Sequence, residues 1–223
     1  MKKKTLIIIS AVLLALAAAA VGIYLALSPA APVLCDNYRP KTDIICIDPG
    51  HGGDDPGAIN GDRCEKDDNL ALALLVAKYV EELGCTPLLT RGGDSYLTLG
   101  DRCEIANDSD AAYFVSLHRN SAVESAKGVE VWISSQKTAP ERKLAQNILA
   151  ALEKIEIQQN RGVKAGTQAG EDSDYVVNKN TAMPSCIVEL GFITNPEDNR
   201  LYDKNLDSYA RAIANAVVDL IKK

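Results

Sequence analysis

Apolar residues recur at positions 70, 73, 74, 77, 80 and 83 of KDDNLALALLVAKYVEEL, residues 66–83. That spacing is one face of a helix, and Gly84 supplies its stop. The segment before it differs: IICI (44–47) is a short unbroken apolar run of the kind that forms a buried strand. The two patterns alternate to the end of the chain. Strands are predicted at CTPLLT (85–90), AAYFVSL (111–117), GVEVWIS (128–134), DYVVN (174–178) and SCIVEL (185–190). Helices are predicted at LGDRCEIAND (99–108), from Thr138 to about Ile155, and at LDSYARAIANAVVDLIKK (206–223). Thr138 with Glu141 three residues on is a capping-box start. Such alternation predicts an α/β domain, a mostly parallel mixed sheet flanked by helices on both faces.

Residues 6–27, LIIISAVLLALAAAAVGIYLAL, carry no charge and follow Lys2, Lys3 and Lys4. As a helix they span roughly 33 Å, enough to cross the hydrocarbon core of a bilayer. A cleavable signal has a shorter apolar core, so the length favours a retained transmembrane helix. The alternative is cleavage after Ala30, which would leave a secreted protein. Either way the lysines stay inside and the remainder lies on the extracytoplasmic face of the membrane. Residues 28–43 carry three prolines and no periodicity, the mark of a tether. The expected organisation is an anchor or signal segment at 1–27, a tether at 28–43 and one domain at 44–223.

The formal net charge of −6 becomes −9 without the three N-terminal lysines. No basic stripe with interleaved aromatics is present, which argues against a nucleic-acid partner. Six cysteines in an exported chain invite disulfides. Cys46, Cys85 and Cys186 lie inside apolar runs, however, where a thiol behaves as a small core residue. One bridge among Cys35, Cys64 and Cys103 is the remaining option.

Ligands of an open α/β sheet bind outside the carboxyl ends of its strands. His51 follows the strand at 44–47 through a Pro-Gly corner, and His118, the only other histidine, ends the strand at 111–117. Glu189 sits near the end of SCIVEL, and Glu65 opens the first helix on the same edge. Two histidines and a carboxylate are a recurring zinc set that leaves a position for water and brings its pKa to about 7. A further carboxylate off the metal can move protons. Each residue also has a plainer reading. Strand-end histidines are mostly surface or packing residues, Glu65 suits any helix N-terminus, and Cys64 is a competing ligand. Asp54, Asp55 and Asp62 read as turn formers. Asp48 either orients His51 or simply ends its strand. Glu189 resists a plain reading, because burying a carboxylate without a partner is costly.

Four blocks, IDPGHGGDDPGA, CEKDDNLALALLVAKYV, LTLGDRCEIANDSDAAYFVSLHRNSA and NTAMPSCIVELGFITNPED, resemble the zinc-dependent N-acetylmuramoyl-L-alanine amidases of bacterial cell walls. They stand in the family's order over residues 44–222. The resemblance implies one zinc per chain on His51, Glu65 and His118, with Glu189 as the catalytic acid/base. It implies peptidoglycan as substrate, cut at the amide between the lactyl group of N-acetylmuramic acid and L-alanine. Gly50, Gly52 and Gly53 are expected to let backbone approach the metal. Asn120 in HRNS and Arg161 in NRGV are candidates for touching the glycan or peptide carboxylates, with a structural role equally open. Arg119 stands where many relatives have a small residue, which bears on subsite preference. No wall-binding repeat is recognisable, so anchor and tether are expected to hold the enzyme near its substrate. A protein activator is left unidentified. Two other readings compete: a zinc peptidase cutting the stem peptide, and a non-catalytic wall-binding module.

Overall fold

The computed structural model describes residues 38–222. The apolar segment at 6–27, the tether up to residue 37, Cys35 and Lys223 lie outside them. Among the described residues no helix is long and apolar enough to cross a membrane. The elements run β1 (Ile44–Pro49), β2 (Ile59–Asn60), β3 (Arg63–Cys64), α1 (Glu65–Glu82), β4 (Thr86–Leu89) and α2 (Leu99–Asp108). They continue as β5 (Tyr113–Asn120), β6 (Val129–Ile133), α3 (Ala139–Glu153), β7 (Asn160–Ala165), α4 (Val176–Asn180), β8 (Ser185–Phe192) and α5 (Pro196–Lys222).

Six strands form one sheet in the order β4-β1-β5-β8-β6-β7, while β2 and β3 make a separate small hairpin. Neighbours are parallel except at β8, where β6 runs antiparallel. Side chains alternate across a strand. Ile45, Ile47, Val115, Leu117 and Val188 therefore meet α1, α3 and α5 in the larger core, which contains Leu72, Ile148 and Ile213. Cys46, Phe114 and Ile187 point to the other face and pack with Cys103 and Ala106 of α2 and Val177 of α4. Fully burying each such Ile or Leu stabilises the fold by about 1.5–3 kcal/mol relative to exposure.

Four elements differ from the sequence expectation. β5 continues three residues past Leu117, because β8 pairs with it through His118 and Asn120. His118 is thus inside the strand rather than at its end. DYVVN is not a strand: Val176–Asn180 forms a short helix, since Asn178 Nδ2 donates to the Trp132 carbonyl at 3.1 Å and Val177 fills the core beneath. These tertiary contacts outweigh the β-branched preference. β7 was not predicted because NRGVKA is an edge strand with almost no apolar pattern. α5 begins ten residues earlier than 206. Asn195 Oδ1 accepts from the amides of Glu197 and Asp198 at 3.1 and 3.0 Å, capping the start at Pro196.

Cys46, Cys64, Cys85, Cys103 and Cys186 are free thiols. Burial pushes the Cys103 thiol up to about 11. No bridge joins Cys64 to Cys103.

Candidate metal centre and its cleft

β1 drives its chain into the carboxyl edge of the sheet, and the corner that follows puts His51 at φ 61, in the left-handed region. A side chain there is strained by roughly 1–3 kcal/mol and persists only when its surroundings hold it. Two buried arginines do so. Arg91 donates to the carbonyls of Pro49 (Nε, 2.9 Å) and Gly50 (Nη2, 3.0 Å). Arg102 donates to Pro49 O at 2.9 Å and His51 O at 2.8 Å. Arg102 also pairs with Asp48 at 2.7 Å, and Asp48 accepts from Thr90 Oγ1 and Ser116 Oγ at 2.7 and 2.6 Å. Asp48 therefore supports the corner through Arg102 and does not touch His51. Asp55 does: its Oδ2 lies 2.8 Å from His51 Nδ1, while its Oδ1 accepts from Gly57 N at 3.1 Å. One aspartate both shapes the turn and fixes the imidazole.

Glu65, the first residue of α1, is buried at 4 % exposure. Its Oε2 lies 3.3 Å from His51 Nε2 and accepts from Ala58 N at 2.9 Å. Its Oε1 lies 2.8 Å from His118 Nδ1 and accepts from Arg119 N at 3.1 Å. The rings of His51 and His118 meet edge-on with centroids 5.0 Å apart. One donor atom from each of His51, Glu65 and His118 lies within 4.8 Å of the others. Donors at about 2.0–2.1 Å from a tetrahedral ion stand roughly 3.3 Å apart, which the His51–Glu65 spacing of 3.3 Å matches and the His118–Glu65 contact of 2.8 Å undershoots. Cys64, next in the chain, is half-buried and stands outside this group.

The three groups shift one another strongly. Burial alone would raise Glu65, but hydrogen bonds from His118 and His51 hold its carboxyl far below the usual range. Burial alone would lower His118, yet the Glu65 contact raises it to about 9. His51 moves upward in the same way, burial being outweighed by Glu65.

Glu189 pairs in register with His118 on one side and with Glu130 on the other. Its Oε2 is buried without a hydrogen-bond partner. Burial, reinforced by the charges of Glu65 and Glu130, raises the carboxyl to about 7. A carboxyl that exchanges its proton near neutrality, lining a cleft of about 580 Å³ with both histidines, suits proton transfer.

Asn120 lines the same cleft. Its Nδ2 donates to Glu130 Oε1 at 2.8 Å, and Arg161 Nε reaches Glu130 Oε2 at 2.7 Å. Arg161 itself stands on the edge strand, one-third exposed and outside the cleft lining. Glu130, which also accepts from Trp132 Nε1 at 3.1 Å, escaped notice in the sequence. The signal was there in GVEVWIS, an acid inside an apolar strand. Arg119 lines the cleft, but its guanidinium is engaged behind the wall: it pairs with Asp68, donates to Asn199 Oδ1 at 2.6 Å and stacks 4.3 Å from the Tyr202 ring. It braces α1 against α5.

The glycines have divided duties. A Cβ on Gly50 would sit 2.1 Å from the His118 ring, so that position makes room for the ligand set. On Gly52 and Gly53 it would meet the Ser95 carbonyl at 2.2 Å and the Tyr96 amide at 2.7 Å. Those two glycines admit a neighbouring loop rather than the metal.

An open α/β sheet with its polar cluster at the carboxyl edge has the layout of an enzyme, and one of hydrolytic class. Residues 45–223 match the N-acetylmuramoyl-L-alanine amidase family, and this chain belongs to it. YqiI of Bacillus subtilis is 38% identical over 200 residues, covering 89% of this chain and 91% of its own. The probable cell wall amidase LytH of Staphylococcus epidermidis is 32% identical over 188 residues, covering 82% of this chain and 58% of the relative. Among solved structures, the amidase AmiC2 of Nostoc punctiforme superposes with TM-score 0.73 at 33% identity, covering 83% of this chain and all of that one. CwlD of Clostridioides difficile, solved in complex with the GerS lipoprotein, gives TM-score 0.72 at 29% identity, over 80% and 98%.

Proposed function

We propose that the domain hydrolyses the amide between the lactyl group of N-acetylmuramic acid and L-alanine in peptidoglycan, with one zinc ion held by His51, Glu65 and His118. The observation that carries the proposal is the convergence of those three donors within 4.8 Å. The ion would polarise the scissile carbonyl and activate water. The remaining work falls to the chain. Asp55 fixes the ring of His51 through Nδ1, leaving Nε2 toward the ion. Glu189 takes the proton of the attacking water at its carboxylate and delivers it to the departing alanine nitrogen. Glu130 fixes the amide of Asn120 for contact with substrate, and Arg161 offers its exposed guanidinium face to a peptide carboxylate.

Residues 1–27 act as a membrane anchor or signal, 28–43 as a tether and 44–223 as the catalytic domain on the extracytoplasmic side. The anchor assignment draws its support from the uncharged apolar run behind three lysines. The CwlD–GerS complex supports a separate protein partner here too.

Purified protein incubated with peptidoglycan tests the proposal. An amidase frees a new L-alanine amino terminus, leaves the glycan uncut and stops when zinc is chelated. New termini within the stem peptide would make it a peptidase, and no cleavage would make it a binding module.

A further inference from the structure

A second groove, of about 440 Å³, opens between α3 and the edge strand β7 and shares no lining residue with the metal cleft. Lys137, Arg142 and Lys164 line it from three segments: the turn before α3, the helix itself and β7. Glu171 is the one acid in the lining, and it pairs with Lys137 at 2.5 Å. Arg142 and Lys164 are exposed and pair with no acid among the described residues. The acids nearby are engaged or stand aside. Glu141 accepts from Ser134 and Thr138, Asp174 accepts from Ser135, and Asp172 lies outside the lining. Three cations against one acid leave a surplus of two positive charges, in a chain whose net charge is −6. Lys137 is also held at φ 52, one of three non-glycine residues in the left-handed region among the described residues, His51 being another. Such strain gathers at functional positions.

We propose that this groove binds phosphoryl oxyanions, and that its occupant is an anionic polymer whose phosphodiesters are joined by short carbon spacers. A carboxylate is satisfied by one bidentate arginine. Cations brought in from three segments suit a tetrahedral group with oxygens on several sides. The groove also exceeds a single ion. At roughly 30 Å³ per water it would hold about fifteen waters. Trp132, Ile133, Val163 and Ala165 supply apolar lining, which a bare phosphate leaves unused and a carbon spacer covers. The turn closed by the Thr167–Gly170 bridge joins groove and cleft: Thr167 and Gly170 line the first, Gln168 the second. A polymer held here lies beside the metal centre without occupying it. Binding at the groove stands independently of the amidase reading; only the encounter with a wall polymer rests on it.

Trp132 is the only tryptophan of the chain, so tryptophan fluorescence reports on this groove. Purified protein is titrated with a glycerol-phosphate oligomer, with inorganic phosphate and with an acetylated peptide ending in a free carboxylate. The oligomer should give a saturable change at the lowest concentration. Arg142→Gln and Lys164→Gln should each weaken its binding on the order of tenfold, the loss of one charge-assisted hydrogen bond. Lys143→Gln removes the same charge from an exposed position outside the lining and should leave the affinity unchanged. An equal loss in Lys143→Gln would reduce the effect to net charge and overturn the site. Affinity unmoved in the Arg142 and Lys164 variants would place the anion elsewhere, the zinc centre included, and overturn it too. Phosphate or peptide binding as tightly as the oligomer would overturn the polymer as occupant. So would phosphatidylglycerol vesicles that bind wild type and not the two variants, which would give the groove to the membrane. No arm reads amide cleavage, so failure here leaves the amidase reading standing.

Discussion

His118 and Glu189 are register partners across the β5–β8 ladder, so the proposed ligand and the proposed proton carrier project from neighbouring strands. The parallel pairing fixes their separation more firmly than any loop could. The same ladder leaves Glu189 Oε2 buried without a hydrogen bond. A chain evolved for stability alone would satisfy or remove that oxygen.

Glu189→Gln keeps size and polarity but cannot take a proton. Turnover of the amide should fall about 10²–10⁴-fold, the usual scale of general acid–base assistance, with KM little changed. Zinc content should stay at the wild-type level. Glu65→Gln should lose zinc as well as activity. The reverse pattern, metal lost from the Glu189 variant and retained in the Glu65 variant, would exchange the two roles.

Metal-free protein should respond to pH in a definite direction. His118 has a folded pKa of about 9 against an ordinary 6.5. A raised histidine contributes stability that is complete below 6.5 and disappears as pH climbs through 9. The Glu65 carboxyl, held low, contributes above its ordinary 4.5 and loses its contribution in acid. Glu189, raised from 4.5 to about 7, loses its contribution over that range, so the unfolding midpoint should be highest near pH 4.5 and decline from there toward pH 9. Zinc competes with the His118 proton, so zinc uptake near neutrality should release protons. Calorimetry in buffers of different ionisation enthalpy measures that release directly. Uptake without proton release would remove His118 from the ligand set.

Arg102→Ala should strike both fold and site. It leaves Asp48 buried, at 1% exposure, without its cation. Breaking such a pair costs about 3–5 kcal/mol. It also removes the donor that holds the carbonyl of His51. The unfolding midpoint of the metal-free protein should drop, and competition with a chelator should show weaker zinc binding. Unchanged values of both would mean that the strained corner holds itself.

Much of this was legible in the chain because it is written in local pattern. IICI running into DPGH could only be a strand breaking at a corner, and KDDNLALALLVAKYV could only be an amphipathic helix. Glu65 was ambiguous beside Cys64 on chemistry alone, and the family resemblance separated them. What escaped depends on partners remote in sequence. Asp55, read as a turn former, also takes the His51 contact offered to Asp48, because Arg102, fifty-four residues away, claims Asp48. Glu130 reveals itself only once β6 is known to run antiparallel to β8. Arg119 stood in a site-like motif, and nothing local announces that Asp68 and Tyr202 draw it the other way.

The measurement that bears most directly on the central claim is zinc per chain, in wild type and in His51→Ala and His118→Ala. Each substitution removes one of three donors, and the chain has no third histidine to replace it. Wild type should carry close to one zinc and each variant a small fraction of that. A variant that keeps its full zinc would contradict the His51–Glu65–His118 centre.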